Sequence, residues 1–328
     1  MSITITGGFT MAGGGFTLVA APPATPTAGW MMGGRNISLV NRVTFATDTN
    51  TASVRGPLSK STVFATSTGT NTYGWVAGGK FTSGEIDRIT YATDTATATV
   101  RSTMYSGLTY YGLASVTDNS SYGWFAGGWN PLESAIQRLT YASDTDTPVL
   151  RGPLSSAKGY ARGVCNSTYG WIAGGQIGGG SSTTISNVER ITYATDTDTT
   201  STRGPMNRSS TSQCMATGTD TYGWIAGGAA SGPFATTSAV SRINYANDTV
   251  TASARGPLSS ARYGGAASTD STSYGWFGGG TIYPAPTPGF VKVTTVDRID
   301  YTNDTATASI RGPLTAAYYG KNGTSGVQ

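Results

Sequence analysis

The amino-acid sequence predicts an all-β fold made of six similar units, and composition and internal repetition both indicate it. The 328 residues include 46 Gly, and only 12 % of the residues are charged. Poor helix formers therefore dominate, and no segment shows a convincing 3.6-residue periodicity. A Trp recurs every 45 to 53 residues inside phrases such as "NTYGWVAGG" (71–79) and "SSYGWFAGG" (120–128). This period indicates a structural unit of about 50 residues that is repeated six times.

Each unit contains a second phrase, of fixed length, that predicts a β-hairpin. It runs from one Arg to another thirteen residues later, as in "RVTFATDTNTASVRG" (42–56) and "RLTYASDTDTPVLRG" (138–152). The length is expected to be fixed because a one-residue slip would move every side chain to the opposite face. An Asp lies six residues after the first Arg. We expect its carboxylate to accept backbone N–H groups in an Asx-turn. The repeated Arg side chains are expected to stack on aromatic rings or bond backbone carbonyls.

Two further strands complete each unit. In "YGWFAG" (122–127) the side chains on both faces are apolar or small, which predicts a strand covered by neighbouring sheets on both sides. A preceding strand, such as "GLASV" (112–116), leads into it through a short polar turn. Four antiparallel strands repeated six times predict a six-bladed β-propeller with one blade per repeat.

The two ends of the chain decide how the ring closes. We expect residues 318–325 to supply the innermost strand of blade one, which joins the last blade to the first and removes exposed sheet edges. The segment "FTLVA" (16–20) is a competing candidate for that position. The propeller then spans residues 27–328, and residues 1–26 are expected to form an extended N-terminal arm and linker. No signal peptide is recognisable, and no segment approaches the roughly 18 apolar residues of a membrane span.

The glycine doublets, the aromatic residue that follows them and the length of the period resemble kelch repeats of the galactose-oxidase-like type, over residues 27–324. A kelch blade typically carries a Trp six residues after its Tyr. Here Thr occupies the positions six residues after Tyr91, Tyr141 and Tyr193. The sequence therefore resembles a variant of the kelch repeat in which Thr replaces this Trp. Enzymes of the galactose-oxidase type hold copper through His and Tyr, and this sequence contains no His.

Composition disfavours several functional classes. The formal charge is +4, but twelve of the sixteen Arg occupy the two repeat positions, so the basic residues do not form one face for nucleic acid. The absence of His removes Ser-His-Asp and Cys-His nucleophiles, and Cys165 and Cys214 alone cannot build an ordinary zinc or copper site. We therefore predict no enzyme activity, no catalytic residues, no cofactor and no metal. The two Cys are expected to be buried thiols, although a disulfide between them is left open.

The variable loops indicate where binding could occur. From the glycine doublet to the next Arg the spacing is 8, 9, 10, 15, 14 and 18 residues in the six repeats, so we expect the length variation to lie in this one connection. In a propeller these connections share one face, and such insertions are typical of a binding face. The candidate ligand-binding residues are Trp129, Phe234, Tyr283, Phe290 and Lys292. Aromatic and hydroxyl side chains suit glycan or protein recognition, but the aromatics could equally pack their own loops against the blade rim.

The phrases "SRINYANDTVTASARGPLSSARYGGAAS" (241–268) and "YGWFGGG" (274–280) resemble kelch-like structural proteins of tailed bacteriophages, in particular those of marine bacteria and cyanobacteria. The resemblance implies a non-enzymatic virion protein, assembled in the host cytoplasm, that acts as a tail-fibre or receptor-binding head or as a decoration. Residues 1–26 would contact other virion proteins, the loops would bind a host-surface glycan or protein, and a homo-oligomer is compatible with this role. The alternatives are a kelch-type interaction scaffold without a virion role and, least favoured, a glycan-processing enzyme.

Overall fold

The computed structural model shows a six-bladed β-propeller and confirms the predicted fold class. The structure describes residues 9–12, 15–18, 25–80, 82–108, 111–178, 183–209, 211–230, 235–283, 289–317, 319–320 and 322–324. Each blade is one antiparallel sheet of four strands, called inner, second, third and outer from the central channel to the rim. Among the described residues, no helix is long and apolar enough to cross a membrane.

The blades are numbered by the order of their second strands. Their inner, second, third and outer strands are, for blade 1, Asn322–Thr324, Ala28–Met32, Val40–Thr44 and Ser53–Arg55; for blade 2, Thr66–Gly69, Tyr73–Ala77, Glu85–Thr90 and Thr99–Thr103; for blade 3, Ala114–Thr117, Tyr122–Ala126, Ile136–Thr140 and Val149–Arg151; for blade 4, Arg162–Cys165, Tyr169–Ala173, Val188–Thr192 and Ser201–Arg203; for blade 5, Met215–Gly218, Tyr222–Ala226, Val240–Asn244 and Ser253–Arg255; and for blade 6, Ala266–Thr269, Tyr274–Gly278, Val296–Asp300 and Ser309–Arg311.

A one-turn 3₁₀ helix joins the third strand to the outer strand in every blade. These helices are Phe45–Thr47, Tyr91–Thr93, Tyr141–Ser143, Tyr193–Thr195, Tyr245–Asn247 and Tyr301–Asn303. The predicted hairpin therefore exists, but its reversal is a helical turn followed by the Asp. The face of the propeller that carries these turns is called the turn face, and the opposite face, which carries the connections between blades, is called the loop face.

The C-terminal strand closes the ring, as expected. Trp30 pairs with Thr324 and Met32 with Asn322, so the end of the chain supplies the inner strand of blade 1. The competing N-terminal segment lies elsewhere, because Gly15–Leu18 forms a two-stranded hairpin with Phe9–Ala12. The role of residues 1–26 as an attachment arm stays a prediction.

The repeated Asp joins each blade to the one before it, and the Asx-turn expectation for its side chain was wrong. Asp196 of blade 4 accepts the indole N–H of Trp124 in blade 3 at 2.8 Å, and it lies 3.0 Å from Arg138 and 3.4 Å from Arg151 of the same blade. The arrangement recurs around the ring, and Trp276 and Arg298 of blade 6 reach Asp48 of blade 1. We call this Trp, the two Arg and the Asp the inter-blade lock.

Aromatic stacking reinforces every inter-blade lock. The Trp of each blade stacks on the aromatic ring that begins the next blade's 3₁₀ helix, with ring centroids 3.9–4.1 Å apart and planes within 18°. The ring is Tyr in blades 2 to 6 and Phe45 in blade 1. Such stacked pairs add to the burial of apolar area. The "YGW" phrase is therefore architectural: it buries the Trp between two blades.

The residue before the first repeated Arg anchors the connection that arrives from the preceding blade. Glu189 accepts the backbone N–H of Ser155 at 2.8 Å and forms a fully buried ion pair with Lys158. Asp297 is likewise buried against Arg262, at 2.9 Å. These acidic side chains serve the connections between blades. Cys165 and Cys214 are both buried and do not form a disulfide, which answers the question that the sequence left open.

Candidate binding face

The insertions of blades 4, 5 and 6 form short hairpins on the loop face. The paired segments are Gln176–Ile177 with Thr183–Thr184, Ala229–Ala230 with Ala235–Thr236, and Thr281–Ile282 with Val291–Lys292. The hairpins of blades 5 and 6 touch, because the Thr236 hydroxyl donates to the Tyr283 carbonyl at 2.6 Å. Length variation thus builds up one side of the loop face, as the loop spacing predicted.

A closed ring of six backbone hydrogen bonds surrounds the channel at the loop face. Each member lies just before an inner strand and donates its N–H to the carbonyl of the equivalent residue in the preceding blade, at 2.6–3.1 Å. The members are Phe64, Gly112, Tyr160, Gln213, Gly264 and Gly320. We call this the backbone ring. It links all six blades and narrows the channel where ligands would approach.

All members of the backbone ring adopt left-handed backbone conformations, with φ between 53° and 74°. Glycine takes this conformation without strain, but Phe64, Tyr160 and Gln213 do so at a cost of about 1–3 kcal/mol each. Two of the three strained residues are aromatic. Strain of this kind is typical of sites where the direction of a side chain matters.

The strained aromatics belong to an arc of five rings at the centre of the loop face. Ring centroids are separated by 5.2 Å between Trp129 and Tyr160, 5.0 Å between Tyr160 and Phe64, 4.8 Å between Phe64 and Tyr319, and 5.6 Å between Tyr319 and Tyr263. Phe64, Tyr160 and Tyr263 are buried, while Trp129 and Tyr319 are half-buried. Burial raises the pKa of Tyr319 to about 12, so its phenol stays neutral and can donate a hydrogen bond.

A pocket of about 180 Å³ opens beside this arc and carries two cationic side chains. It is lined by Arg35, Val63, Phe64, Lys80 and Tyr319, and we call it the loop-face pocket. Arg35 and Lys80 are both exposed. Their main chains are held at the pocket, because the Arg35 N–H donates to the Tyr319 carbonyl at 3.1 Å and the Lys80 N–H to the Val63 carbonyl at 2.9 Å. The pocket therefore combines aromatic surface with positive charge.

The central channel itself is too narrow for a ligand of sugar size. Its cavity measures about 50 Å³, room for a few water molecules. Arg162 is the one charged side chain among the described residues that line it, and it donates to the Cys214 carbonyl at 2.7 Å and the Ala161 carbonyl at 3.1 Å. Burial lowers the pKa of this guanidinium. A larger ligand would therefore bind outside the channel.

The structure divides the predicted binding residues between two places. Tyr283 and Phe290 stack with centroids 5.0 Å apart, and Lys292 lies on the same blade 6 hairpin. Phe290 is 61 % exposed. Trp129 lies apart from them in the aromatic arc, where it packs on Tyr160. Phe234 lies outside the described residues.

Sequence reasoning missed the loop-face pocket and most of the aromatic arc. The signal was the short segment before each inner strand, which carries an aromatic residue in every blade but the fifth, as in "VFATS" (63–67), "GYARG" (159–163) and "RYGGA" (262–266). These connections differ in length by at most two residues between blades, so their lengths do not mark them as insertions. Among the described residues, no group of three or more Cys, Asp or Glu side chains could hold a metal ion.

The comparisons with known proteins support the fold. The solved structure of YjhT is similar with a TM-score of 0.65, at 13 % sequence identity, over 79 % of this chain and 86 % of that chain. A likeness at this identity shows the propeller fold alone. No protein-family model matches the chain, and no curated protein sequence matches it.

Proposed function

We propose that the chain is a non-enzymatic bacteriophage virion protein whose propeller binds a host-surface glycan through the loop face. In this role the kelch-like propeller is displayed on the particle, as a tail-fibre head or a decoration, and residues 1–26 contact other virion proteins. Assembly takes place in the host cytoplasm. The loop-face pocket is the observation that carries the binding half of this proposal.

The chemistry of the loop-face pocket favours a sugar that carries acidic groups. The half-buried Tyr319 offers ring surface to the apolar face of a sugar, as aromatic side chains do in recognition sites, and the buried Phe64 supports that ring from behind. Arg35 and Lys80 supply charge-assisted hydrogen bonds for a carboxylate, sulfate or phosphate group. A glycan of this kind would lie across the aromatic arc and reach the blade 6 hairpin with Tyr283 and Phe290.

The arrangement of the molecule around the pocket supports the same role. Invariant spacing and the inter-blade locks hold the scaffold, while the insertions of blades 4 to 6 vary in length on the loop face alone. Loops that vary on a rigid scaffold are typical of recognition surfaces. No catalytic step is proposed, since the sequence has no His to act as a general base.

Binding to purified bacterial surface polysaccharides tests the proposal. The full chain should bind acidic polysaccharides more tightly than neutral ones, and the binding should weaken as salt is added, because exposed charges are screened. The double variant Arg35→Gln/Lys80→Gln should lose at least about tenfold in affinity, since two charge-assisted hydrogen bonds are removed. Lys60→Gln is the matched control, because Lys60 pairs with Glu85 and does not line the pocket.

Two results would count against the proposal. If the double variant binds acidic polysaccharides as well as the wild type, the loop-face pocket is not the site. If mass spectrometry of purified phage particles finds no copy of this chain, the virion role fails, whatever the chain binds.

A further inference from the structure

Five of the six blades begin their second strand with a Tyr whose ring lies between a cation and an indole. These residues are Tyr73, Tyr122, Tyr169, Tyr222 and Tyr274. In each blade the guanidinium carbon of the first repeated Arg lies 4.1–4.6 Å from the Tyr ring centroid. The same ring meets the Trp two residues later at 5.7–5.9 Å.

Blade 1 has the same framework, but among the described side chains none supplies the ring. Ala28 pairs with Thr44 in the register in which Tyr73 pairs with Thr90, so Ala28 occupies the Tyr position. A cavity of about 320 Å³ lies there. We call it the blade 1 slot. Its lining residues are Thr25, Pro26, Thr27, Ala28, Trp30, Arg42, Asn71, Tyr91 and Ala92.

The groups that face a Tyr in the other blades are less well covered in blade 1. Trp30 is 6 % exposed, whereas the Trp of each other blade is at most 1 % exposed. The Arg42 side chain is 29 % exposed, against 19–24 % for its five equivalents. It lies 3.4 Å from Asp94, while the equivalent distances are 3.0–3.1 Å. Trp30 and Arg42 of blade 1 are thus the least covered of the six Trp and Arg pairs.

We propose that the blade 1 slot binds a tyrosine side chain presented by a partner polypeptide. In the five other blades, the residues equivalent to Trp30 and Arg42 contact a Tyr ring. The chemistry of the slot therefore matches a Tyr side chain. A guanidinium over the face of a phenol ring is attractive and is strongest when shielded from water. This inference is independent of the loop face and of the virion role, because the slot lies at the turn face between blades 1 and 2.

The mouth of the slot suits a polypeptide. Thr25, Thr27 and Asn71 are exposed there and offer hydroxyl, amide and backbone groups. Such groups can hydrogen-bond the amides that flank a tyrosine in a peptide. The Thr27 carbonyl already accepts the Phe45 N–H at 3.0 Å, as the Thr72 carbonyl accepts the Tyr91 N–H in blade 2, so the rim keeps the geometry of the occupied blades.

Titration of the full chain with N-acetyl-tyrosinamide tests the proposal, with the indole N–H resonances followed by NMR. The Trp30 resonance, assigned from a Trp30→Phe variant, should shift on titration while those of the other Trp residues stay in place. N-acetyl-alaninamide should produce no shift. Ala28→Tyr should abolish the shift and raise the melting temperature by a few degrees, because the new side chain supplies the missing ring. Ala28→Ser, which leaves the slot open, should respond as the wild type does.

Three results would overturn the proposal. In the first, N-acetyl-tyrosinamide leaves the Trp30 resonance unmoved in the wild type. In the second, the shift persists in Ala28→Tyr. In the third, Ala28→Tyr lowers the melting temperature or fails to fold while Ala28→Ser behaves normally, which would show that the slot does not accept the ring.

Discussion

Replacing Asp196 with Asn tests the inter-blade lock between blades 3 and 4. The Asp196 carboxylate is 8 % exposed, accepts the Trp124 indole N–H at 2.8 Å, and pairs with Arg138 and Arg151 at 3.0 and 3.4 Å. Asn has the same shape and can still accept the indole hydrogen bond through its amide oxygen. What the substitution removes is the negative charge between two guanidinium groups.

The expected magnitude follows from the burial of these groups. Removing one partner of a buried ion pair costs about 3–5 kcal/mol, because the remaining charge is left uncompensated. Here Arg138 and Arg151 keep 19 % and 21 % of their side chains exposed, so water compensates part of the loss. We therefore expect Asp196→Asn to lower the free energy of unfolding by about 2–3 kcal/mol.

Equilibrium unfolding in urea measures this loss, and the same turn provides the control. Asp198 lies two residues further on and is exposed. Asp198→Asn removes the same charge from the chain and should change the free energy of unfolding by less than about 0.5 kcal/mol. If Asp196→Asn is as stable as Asp198→Asn, the carboxylate does not hold the blades together and the reasoning fails.

Three further predictions concern the blade interior. Gly204→Ala should cost about 1–3 kcal/mol, because an added Cβ would lie 2.0 Å from a backbone carbonyl oxygen of the next blade; an unchanged melting temperature would refute this. Burial raises the pKa of Cys165 to about 12 and also raises the pKa of Cys214. At pH 8 a thiol reagent should therefore label neither Cys until the chain unfolds. Rapid labelling of the native chain would contradict the burial of these thiols. Burial alone would raise the pKa of Glu189, but the charge of Lys158 and the hydrogen bonds from Lys158, Thr200 and Ser155 together outweigh it, and the net pKa is lowered. The pair should therefore stabilise the fold above the unfolded-state pKa of about 4.3 and lose that effect at lower pH. The difference in unfolding free energy between wild type and Glu189→Gln should narrow from pH 7 to pH 3, and a constant difference would show that the pair does not titrate as described.

The fold could be predicted from the sequence because its determinants are local and repeated. The thirteen-residue Arg-to-Arg spacing sets the register of each hairpin, and six copies of one unit leave few architectures open. The C-terminal strand could be placed because the last repeat supplies only its inner strand. Repetition in the sequence therefore predicts the backbone of each blade and the order of the blades.

The roles of individual repeated side chains were harder to predict because their partners lie in another blade. The carboxylate of Asp94 meets the indole of Trp30, 64 residues earlier in the chain. Nothing in the local pattern distinguishes such a contact from an Asx-turn. The first repeated Arg was correctly expected to stack on an aromatic ring in blades 2 to 6, where the Tyr lies diagonally across from it on the neighbouring strand. Its ion pair with the Asp of the next blade was not expected.

The candidate site was predicted only in part. Loop lengths predicted the loop face as the binding face and Tyr283 and Phe290 as candidate binding residues. The structure places these two rings in contact. Loop lengths could not indicate Phe64 or Tyr319, because the connections that carry them have nearly the same length in every blade and converge on the channel only when the ring closes. Convergence of six separate segments at one axis is a property of the closed propeller, and no single repeat contains it.

Binding of the labelled chain to host cells tests the central claim most directly, with the wild type, Arg35→Gln/Lys80→Gln and Lys60→Gln compared side by side. We predict saturable binding by the wild type and by Lys60→Gln, and at least about tenfold weaker binding by the double variant. Equal binding by all three proteins, or no binding by any of them, would contradict the assignment of the loop-face pocket as the host-binding site.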